Sequence, residues 1–136
     1  MADPALPPPY DAALQACVLA ALARYDVLTI VASGTVVRGV PDPRSDLDIH
    51  VVHRAPFRER LQERHQRVPC EVFVNPLERI QGYFEQGARA RRPITAHMFA
   101  TGVAVYDPEG VGEALRLRAI DALRHVPDVD PEALNR

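Results

Sequence analysis

The segment Asp46–His53 places two aspartates just before and within an apolar run that is rich in β-branched residues. Aspartate is depleted in strands, and side chains alternate across a strand, so Asp46 and Asp48 would share one face and repel each other. The apolar residues between and after them would share the opposite face, towards a core. A fold that contains this segment must therefore bring something to the polar face that offsets two negative charges.

Length, composition and charge indicate one ordinary globular domain. The chain has 136 residues, of which 47% are hydrophobic and 25% charged, enough for one buried core. A net charge of −2 argues against an extended nucleic-acid-binding surface, although a local basic site stays open. No apolar run approaches the length of a membrane span, and the N-terminus lacks the pattern of a secretion signal. We therefore expect a cytoplasmic protein with no membrane partner.

The two cysteines, Cys17 and Cys70, lie in apolar surroundings. Their spacing matches neither a disulfide framework nor a metal-binding motif, so we expect two buried thiols. Because Cys70 precedes Glu71 on a predicted strand, its side chain should face the core, and we assign it no catalytic role.

Hydrophobic periodicity predicts an α/β (α+β) fold, in which a mixed β-sheet is flanked by helices. Strands are predicted over Val27–Ala32, Leu47–His53, Pro69–Val74 and Val103–Tyr106. Helices are predicted over Asp11–Tyr25, from Asn75-Pro76 to Gly87, over Ile94–Thr101 closed by Gly102, and over Val111–His125. Asn75 is the expected N-cap of the second helix and Pro76 its first residue. The charged segment Phe57 to Gln66 fits either an exposed helix or a mobile connection.

Composition also divides the chain into three parts. Residues 1–9 are proline-rich and are expected to form a flexible arm, residues 10–126 form the domain, and residues 127–136 form a polar tail. The tail begins a helical pattern that does not develop. Either a further C-terminal domain or a helical protein partner is therefore an open expectation.

Three carboxylates are candidates for a metal site. Glu71 follows Asp48 by 23 residues, near the start of the third predicted strand. If that strand lies beside Leu47–His53, the carboxylates of Asp46, Asp48 and Glu71 meet, which is enough for two Mg²⁺ ions and an in-line phosphoryl displacement. The alternative is a strand with one solvated face, since a lone Asp-x-Asp is common.

The turn Gly34–Gly39 follows directly on a buried strand, and it suggests a phosphate-binding site beside the carboxylates. At Gly34 and Thr35 the backbone can approach a phosphate closely, and Arg38 offers a cation one turn on. A plain turn with an exposed arginine is the alternative. A P-loop is excluded, because Val40-Pro41 stands where the lysine and hydroxyl residue are required.

Together these pieces resemble the nucleotidyltransferase domain of the DNA polymerase β superfamily. The resemblance rests on Gly34-Thr-x-x-Arg-Gly39, Asp42-x-x-Ser45-Asp46-Leu-Asp48 and the later Glu71, and it spans roughly Asp11 to Asp107. It is strongest to the minimal nucleotidyltransferases and the aminoglycoside nucleotidyltransferases. The family implies a polymerase-β-type fold and transfer of a nucleoside monophosphate, usually AMP from ATP, to an acceptor hydroxyl.

The resemblance also implies roles for individual residues. Asp46 and Asp48 would bind Mg²⁺ or Mn²⁺, and Glu71 would bind the catalytic ion and help to deprotonate the acceptor. The residues implied in binding ATP or another nucleoside triphosphate are Ser33, Gly34, Thr35, Arg38 and Ser45. Family members usually have serine where Thr35 stands and often aspartate where Glu71 stands. The acceptor stays open: it could be a small molecule, a nucleic-acid end or a protein. An alternative function also stays open: the chain could be a non-catalytic nucleotide-binding module that acts through a protein partner, like an antitoxin.

Other residues carry weaker signals. His50 shares the aspartate face, where a hydrogen-bonded structural role is favoured over a ligand role. His53 and His65 are expected at the surface, and His97 and Met98 in packing. The basic cluster Arg89, Arg91 and Arg92 is either solvated or in contact with nucleotide phosphates.

Overall fold

The computed structural model describes residues 6–39 and 46–125 of the chain. Its strands are β1 (Val27–Ser33), β2 (Leu47–His53), β3 (Glu59–His65), β4 (Val68–Pro76) and β5 (Val103–Tyr106). Its helices are α1 (Tyr10–Arg24), α2 (Leu77–Arg89), α3 (Ile94–Thr101) and α4 (Val111–Arg124). The predicted mixed sheet flanked by helices is thus confirmed.

The five strands form one sheet in the order β3-β4-β2-β1-β5. The central strand β2 pairs with β1 antiparallel and with β4 parallel, while β3 and β5 close the two edges by antiparallel pairing. The register places Asp48 opposite Ser33 on one side and opposite Glu71 on the other. The end of β1 and the starts of β2 and β4 therefore meet at one place in the sheet.

Each face of the sheet carries its own core. Helix α1 packs on one face, where Ile49, Val51, Cys70 and Val72 belong to the buried cluster. Helices α2, α3 and α4 cover the other face through a cluster that includes Phe99. The alternation of side chains along β2 thus decides which residues meet α1 and which lie on the face of the three other helices.

The prediction that the segment Phe57 to Gln66 is an exposed helix or a mobile connection is wrong. Residues Glu59–His65 form the edge strand β3 instead. A hairpin joins it to β4 through Gln66 and Arg67, which have φ of 50° and 67°. Hairpin turns of this kind usually use Asn or Gly, so the sequence gives no turn signal here. The many charges of β3 suit an exposed edge strand.

The start of α2 also differs from the prediction. Asn75 stays in β4, and Pro76 is the residue before the helix rather than its first residue, with no side-chain cap hydrogen bond. The amide oxygen of Asn75 instead accepts a hydrogen bond of 3.3 Å from the Tyr83 hydroxyl. The helix runs past Gly87 and ends at Arg89.

Gly102 ends α3 as predicted, but not through a left-handed backbone, since its φ is −79°. It is required for space: a Cβ there would lie 2.7 Å from the Met98 carbonyl oxygen and 2.8 Å from Val31. Glycine at this position therefore lets α3 lie directly on β1.

Several expectations lie outside the described residues. They are the loop Val40–Ser45, most of the arm 1–9 and the tail 127–136, so the predicted division of the chain stays a prediction. Within residues 6–39 and 46–125, no helix has the length and apolar character needed to cross a membrane.

Candidate active site

Three carboxylates meet where β2 and β4 begin. One oxygen each from Asp46, Asp48 and Glu71 lies within 4.8 Å of the other two. The parallel register places Glu71 beside Asp48, and Asp46 comes two residues before Asp48, so all three side chains share one face of the sheet. Asp46 is exposed and the other two are half-buried, so the cluster is open to solvent on one side.

The charge on Asp48 is unfavourable in the folded protein. Burial, then the charges of Asp46 and Glu71, raises the pKa of the Asp48 carboxyl to about 6, while Arg60 and Arg38 oppose the shift. The two arginines therefore offset the repulsion only in part. A divalent cation would offset it further, because carboxylate oxygens are the ligands that Mg²⁺ prefers.

Arg60 of β3 is bound to Glu71. Its Nε donates to Glu71 Oε1 at 2.9 Å, and its Nη2 donates to the same oxygen. The guanidinium also lies over the Phe73 ring, 5.1 Å from the centroid. This residue was missed from the sequence because its strand was not recognised, and without the strand nothing placed it beside Glu71.

The turn after β1 closes one side of the cluster. Gly34 has a φ of +103°, which favours glycine, and a Cβ there would lie 3.1 Å from Asp48 Oδ2. Thr35 is half-buried in the same turn. The turn therefore lies beside the aspartates, as predicted, and a side chain at Gly34 would crowd Asp48.

Arg38 lies on this turn and reaches towards α3. Its Nη1 donates to His97 Nε2 at 3.2 Å, and its Nε is buried with no hydrogen-bond partner among the described residues. Burial and the charge of Arg38 lower the pKa of His97, so the imidazole stays neutral and can accept this bond. His97 was expected only to pack, and its sequence pattern gave no sign of this contact.

Ser33 and His50 form a buried pair behind the carboxylates. Ser33 Oγ and His50 Nε2 lie 2.9 Å apart, and the imidazole stacks on Phe73 with ring centroids 5.1 Å apart. Burial lowers the pKa of His50 to about 4, so it carries no charge near the site at neutral pH. The structural role favoured for His50 agrees with this geometry. The Ser33 hydroxyl is 1% exposed, so the structure does not bring it to the open side of the site.

The remaining candidates fall into three groups. The prediction that His53 lies at the surface is wrong. His53 is 1% exposed, and its Nε2 donates a hydrogen bond of 2.6 Å to the Phe57 carbonyl. The basic cluster of Arg89, Arg91 and Arg92 is exposed. Ser45 lies outside the described residues.

Two clefts flank the carboxylates. One of about 20 Å³ lies between the Gly34 turn and α3, where His97 and Thr101 line it. The other, about 360 Å³, opens beside Asp46 and Glu71 along β3. A larger cleft of about 450 Å³ between α2 and α4 contains none of the predicted site residues. Of these three clefts between described residues, the one along β3 combines room for a ligand with contact to the carboxylates.

Comparison with known proteins supports the fold. No protein-family model and no curated protein matches the sequence. Among solved structures, the chain is similar to a nucleotidyltransferase-like protein from Exiguobacterium sibiricum 255-15, with a TM-score of 0.62 and 14% identity. The match covers 79% of this chain but 37% of that protein, so the chain spans less than half its length. At this identity the likeness shows a nucleotidyltransferase-like fold and nothing finer.

The raised pKa of Asp48 predicts a pH-dependent stability. A carboxyl whose pKa is higher in the folded state costs nothing below its unfolded pKa, and its cost grows as pH rises through the folded value of about 6. In EDTA, Asp48→Asn should match the wild type near pH 4 and be more stable by about 1–2 kcal/mol at pH 7.5.

Urea unfolding of both proteins at several pH values measures this difference. Comparing the two proteins cancels the opposite effect of His50, whose stabilising neutral form is lost as pH falls from its unfolded pKa towards about 4. Asp121→Asn, at an exposed position on α4, is the control and should show no such trend. An Asp48→Asn protein that is less stable at pH 7.5 would contradict the repulsion.

Proposed function

We propose that the protein is a metal-dependent nucleotidyltransferase that transfers a nucleoside monophosphate, AMP from ATP, to an acceptor hydroxyl of a small molecule or a protein. The observation that carries the proposal is the convergence of Asp46, Asp48 and Glu71 within 4.8 Å, beside the close backbone approach at Gly34. The nucleotidyltransferase-like fold agrees with it.

The donor set fits a hard divalent cation. All three candidate ligands are carboxylates, and the charge of Asp48 is disfavoured until positive charge arrives. Mg²⁺ or Mn²⁺ held there would offset the charge that develops on the attacking and leaving oxygens. Asp46 and Asp48 would hold the ions, since they stand two residues apart and their carboxylates converge with that of Glu71.

Glu71 would accept the proton of the acceptor hydroxyl. The acceptor oxygen then bonds to the α-phosphorus, and the bond from that phosphorus to the leaving pyrophosphate breaks. Arg60 occupies one oxygen of Glu71, so the second oxygen is the one placed to bind metal or take the proton. The ion pair with Arg60 would fix the orientation of the carboxylate in this role.

The turn after β1 would hold the triphosphate. The buried Nε of Arg38 has no partner among the described residues and suits a phosphate oxygen. The cleft at this turn is only about 20 Å³, so binding would require Arg38 and His97 to move apart. Thr35 and Ser45 remain candidates for the same phosphates, and Ser33 would contribute only through its backbone.

One observation favours a second function. With Glu71 held by Arg60, the group proposed as base is engaged in an ion pair. The chain would then be a non-catalytic nucleotide-binding module that acts on a protein partner, in the manner of an antitoxin. Nucleotide binding without transfer is the outcome that would favour it.

Transfer can be measured directly with ATP labelled on the α-phosphate, Mg²⁺ and a cell extract as the source of acceptor. We expect label to enter an acceptor, and Asp48→Asn to reduce this by about a thousandfold or more, because the bound ions supply much of the charge stabilisation. Asp121→Asn is the matched control. Equal transfer by Asp48→Asn would exclude the carboxylates from catalysis.

Two glycine variants test the turn. Gly34→Ala and Gly39→Ala both place a side chain at positive φ, +103° and +83°, so they share a similar backbone cost. At Gly34 the new Cβ meets Asp48, whereas at Gly39 no atom of a described residue lies within 4 Å of it. Titration calorimetry with ATP and Mg²⁺ should show a loss of affinity of tenfold or more for Gly34→Ala alone, on the order of 1.4 kcal/mol. Equal affinities in the two variants would remove Gly34 from the site.

A further inference from the structure

A second group of metal-ligating side chains lies on the other face of β4. One donor atom each from Cys17, Glu63 and His65 lies within 4.8 Å of the other two. Cys70 adjoins them, since it pairs with Glu63 across the hairpin, and its thiol donates to the Val68 carbonyl at 3.5 Å. Both thiols are buried and free of disulfides. This cluster shares no residue with the three carboxylates.

Three elements assemble the cluster. Cys17 comes from α1, while Glu63 and His65 stand two apart on β3 and so point the same way. Glu63 pairs directly with Cys70 across the β3–β4 hairpin, which puts these side chains on one face. Cys17 is far in sequence from Glu63 and His65, so no local spacing could reveal the three residues as one site.

The spacing and donor types suit a four-coordinate ion. Glu63 Oε1 lies 3.4 Å from His65 Nε2. Two ligand atoms at about 2.0 Å from a tetrahedral ion lie about 3.3 Å apart, so this pair already has the required separation. Arg24 donates to the other oxygen, Oε2, at 3.1 Å, which leaves Oε1 facing the imidazole. Outer partners of this kind orient a ligating carboxylate.

We propose that Cys17, Glu63 and His65 bind one divalent ion of the zinc type, with solvent in the fourth position. Thiolate and imidazole donors select such an ion over Mg²⁺, so this site differs in chemistry from the carboxylate cluster. The Cys17 thiol would release its proton to solvent as its sulfur bonds to the metal. The side chains of Glu63 and His65 are 25% and 20% exposed, so an ion can reach the cluster from solvent.

The bound ion would tie β3 to α1. As an edge strand, β3 pairs only with β4, and it carries Arg60, the partner of Glu71 on the opposite face. An ion pair between Arg24 and Glu63 explains the carboxylate alone. It does not explain why the Cys17 thiol lies within 4.8 Å of both the imidazole and a carboxylate oxygen of Glu63.

Cobalt substitution tests the proposal without any assay of transfer. Co²⁺ is added to the reduced, metal-free protein in excess Mg²⁺, which occupies the carboxylates. We expect one Co²⁺ per chain, a thiolate-to-cobalt charge-transfer band and the strong visible bands of four-coordinate cobalt, all displaced by Zn²⁺. Cys17→Ser should abolish the charge-transfer contribution of that sulfur, and His65→Gln should weaken Co²⁺ binding by about tenfold or more.

His65→Gln keeps the assay informative if Cys17→Ser fails to fold, because His65 is half-buried and its variant can be checked by circular dichroism. His125→Gln, an exposed histidine on the same chain, is the matched control and should bind Co²⁺ like the wild type. Absence of a charge-transfer band in the wild type, or equal Co²⁺ affinity in folded His65→Gln, would overturn the proposal. Neither result would affect the proposed nucleotidyl transfer.

Discussion

The negative charge of Asp48 is half-buried between two other carboxylates. The strands and the turn around it are best understood from this unfavourable interaction. The parallel pairing of β2 and β4 places Glu71 directly beside it, and the chain just before β2 adds Asp46. Arg60 and Arg38 reduce the repulsion, yet the pKa of Asp48 still rises to about 6. A sheet selected only for stability would place neutral side chains there, so this conflict points to a functional site.

The surrounding elements are arranged around that charge. The strand β1 ends opposite Asp48 and turns at Gly34, where a larger residue would crowd the carboxylate. On the other side, β3 supplies Arg60 to Glu71. Behind the cluster, the buried pair of Ser33 and His50 stays neutral and adds no compensating charge. Among the described residues, Arg60 and Arg38 oppose the repulsion only in part, so a cation from solution would relieve it further.

The sequence predicts the central part of this arrangement because its signals are local. Continuous apolar runs mark the buried strands, and the alternation in Leu47–His53 assigns each side chain to a face of the sheet. Predicting the carboxylate cluster then required only that Glu71 lie on a neighbouring strand. The edge strand β3 could not be predicted, because its turn uses Gln66 and Arg67 where glycine or asparagine would mark a hairpin. Missing β3 hid Arg60, and it hid the proximity of Glu63 and His65 to the Cys17 thiol.

Long-range contacts account for the other differences. His53 carries a polar side chain near the end of a strand, which is typical of a surface position, yet α1 and the segment after β2 bury it against Tyr25 and Phe57. His97 meets Arg38 across 59 residues of chain. Neither pairing leaves a periodic signal, because each depends on how separate elements pack.

The most direct measurement is an NMR titration of the Asp48 side-chain carboxyl carbon, in metal-free protein and again with Mg²⁺. We expect a titration midpoint near pH 6 without metal, and a clear fall in that midpoint when Mg²⁺ neutralises the cluster. A midpoint near the ordinary aspartate value of about 4 that does not respond to Mg²⁺ would contradict this expectation.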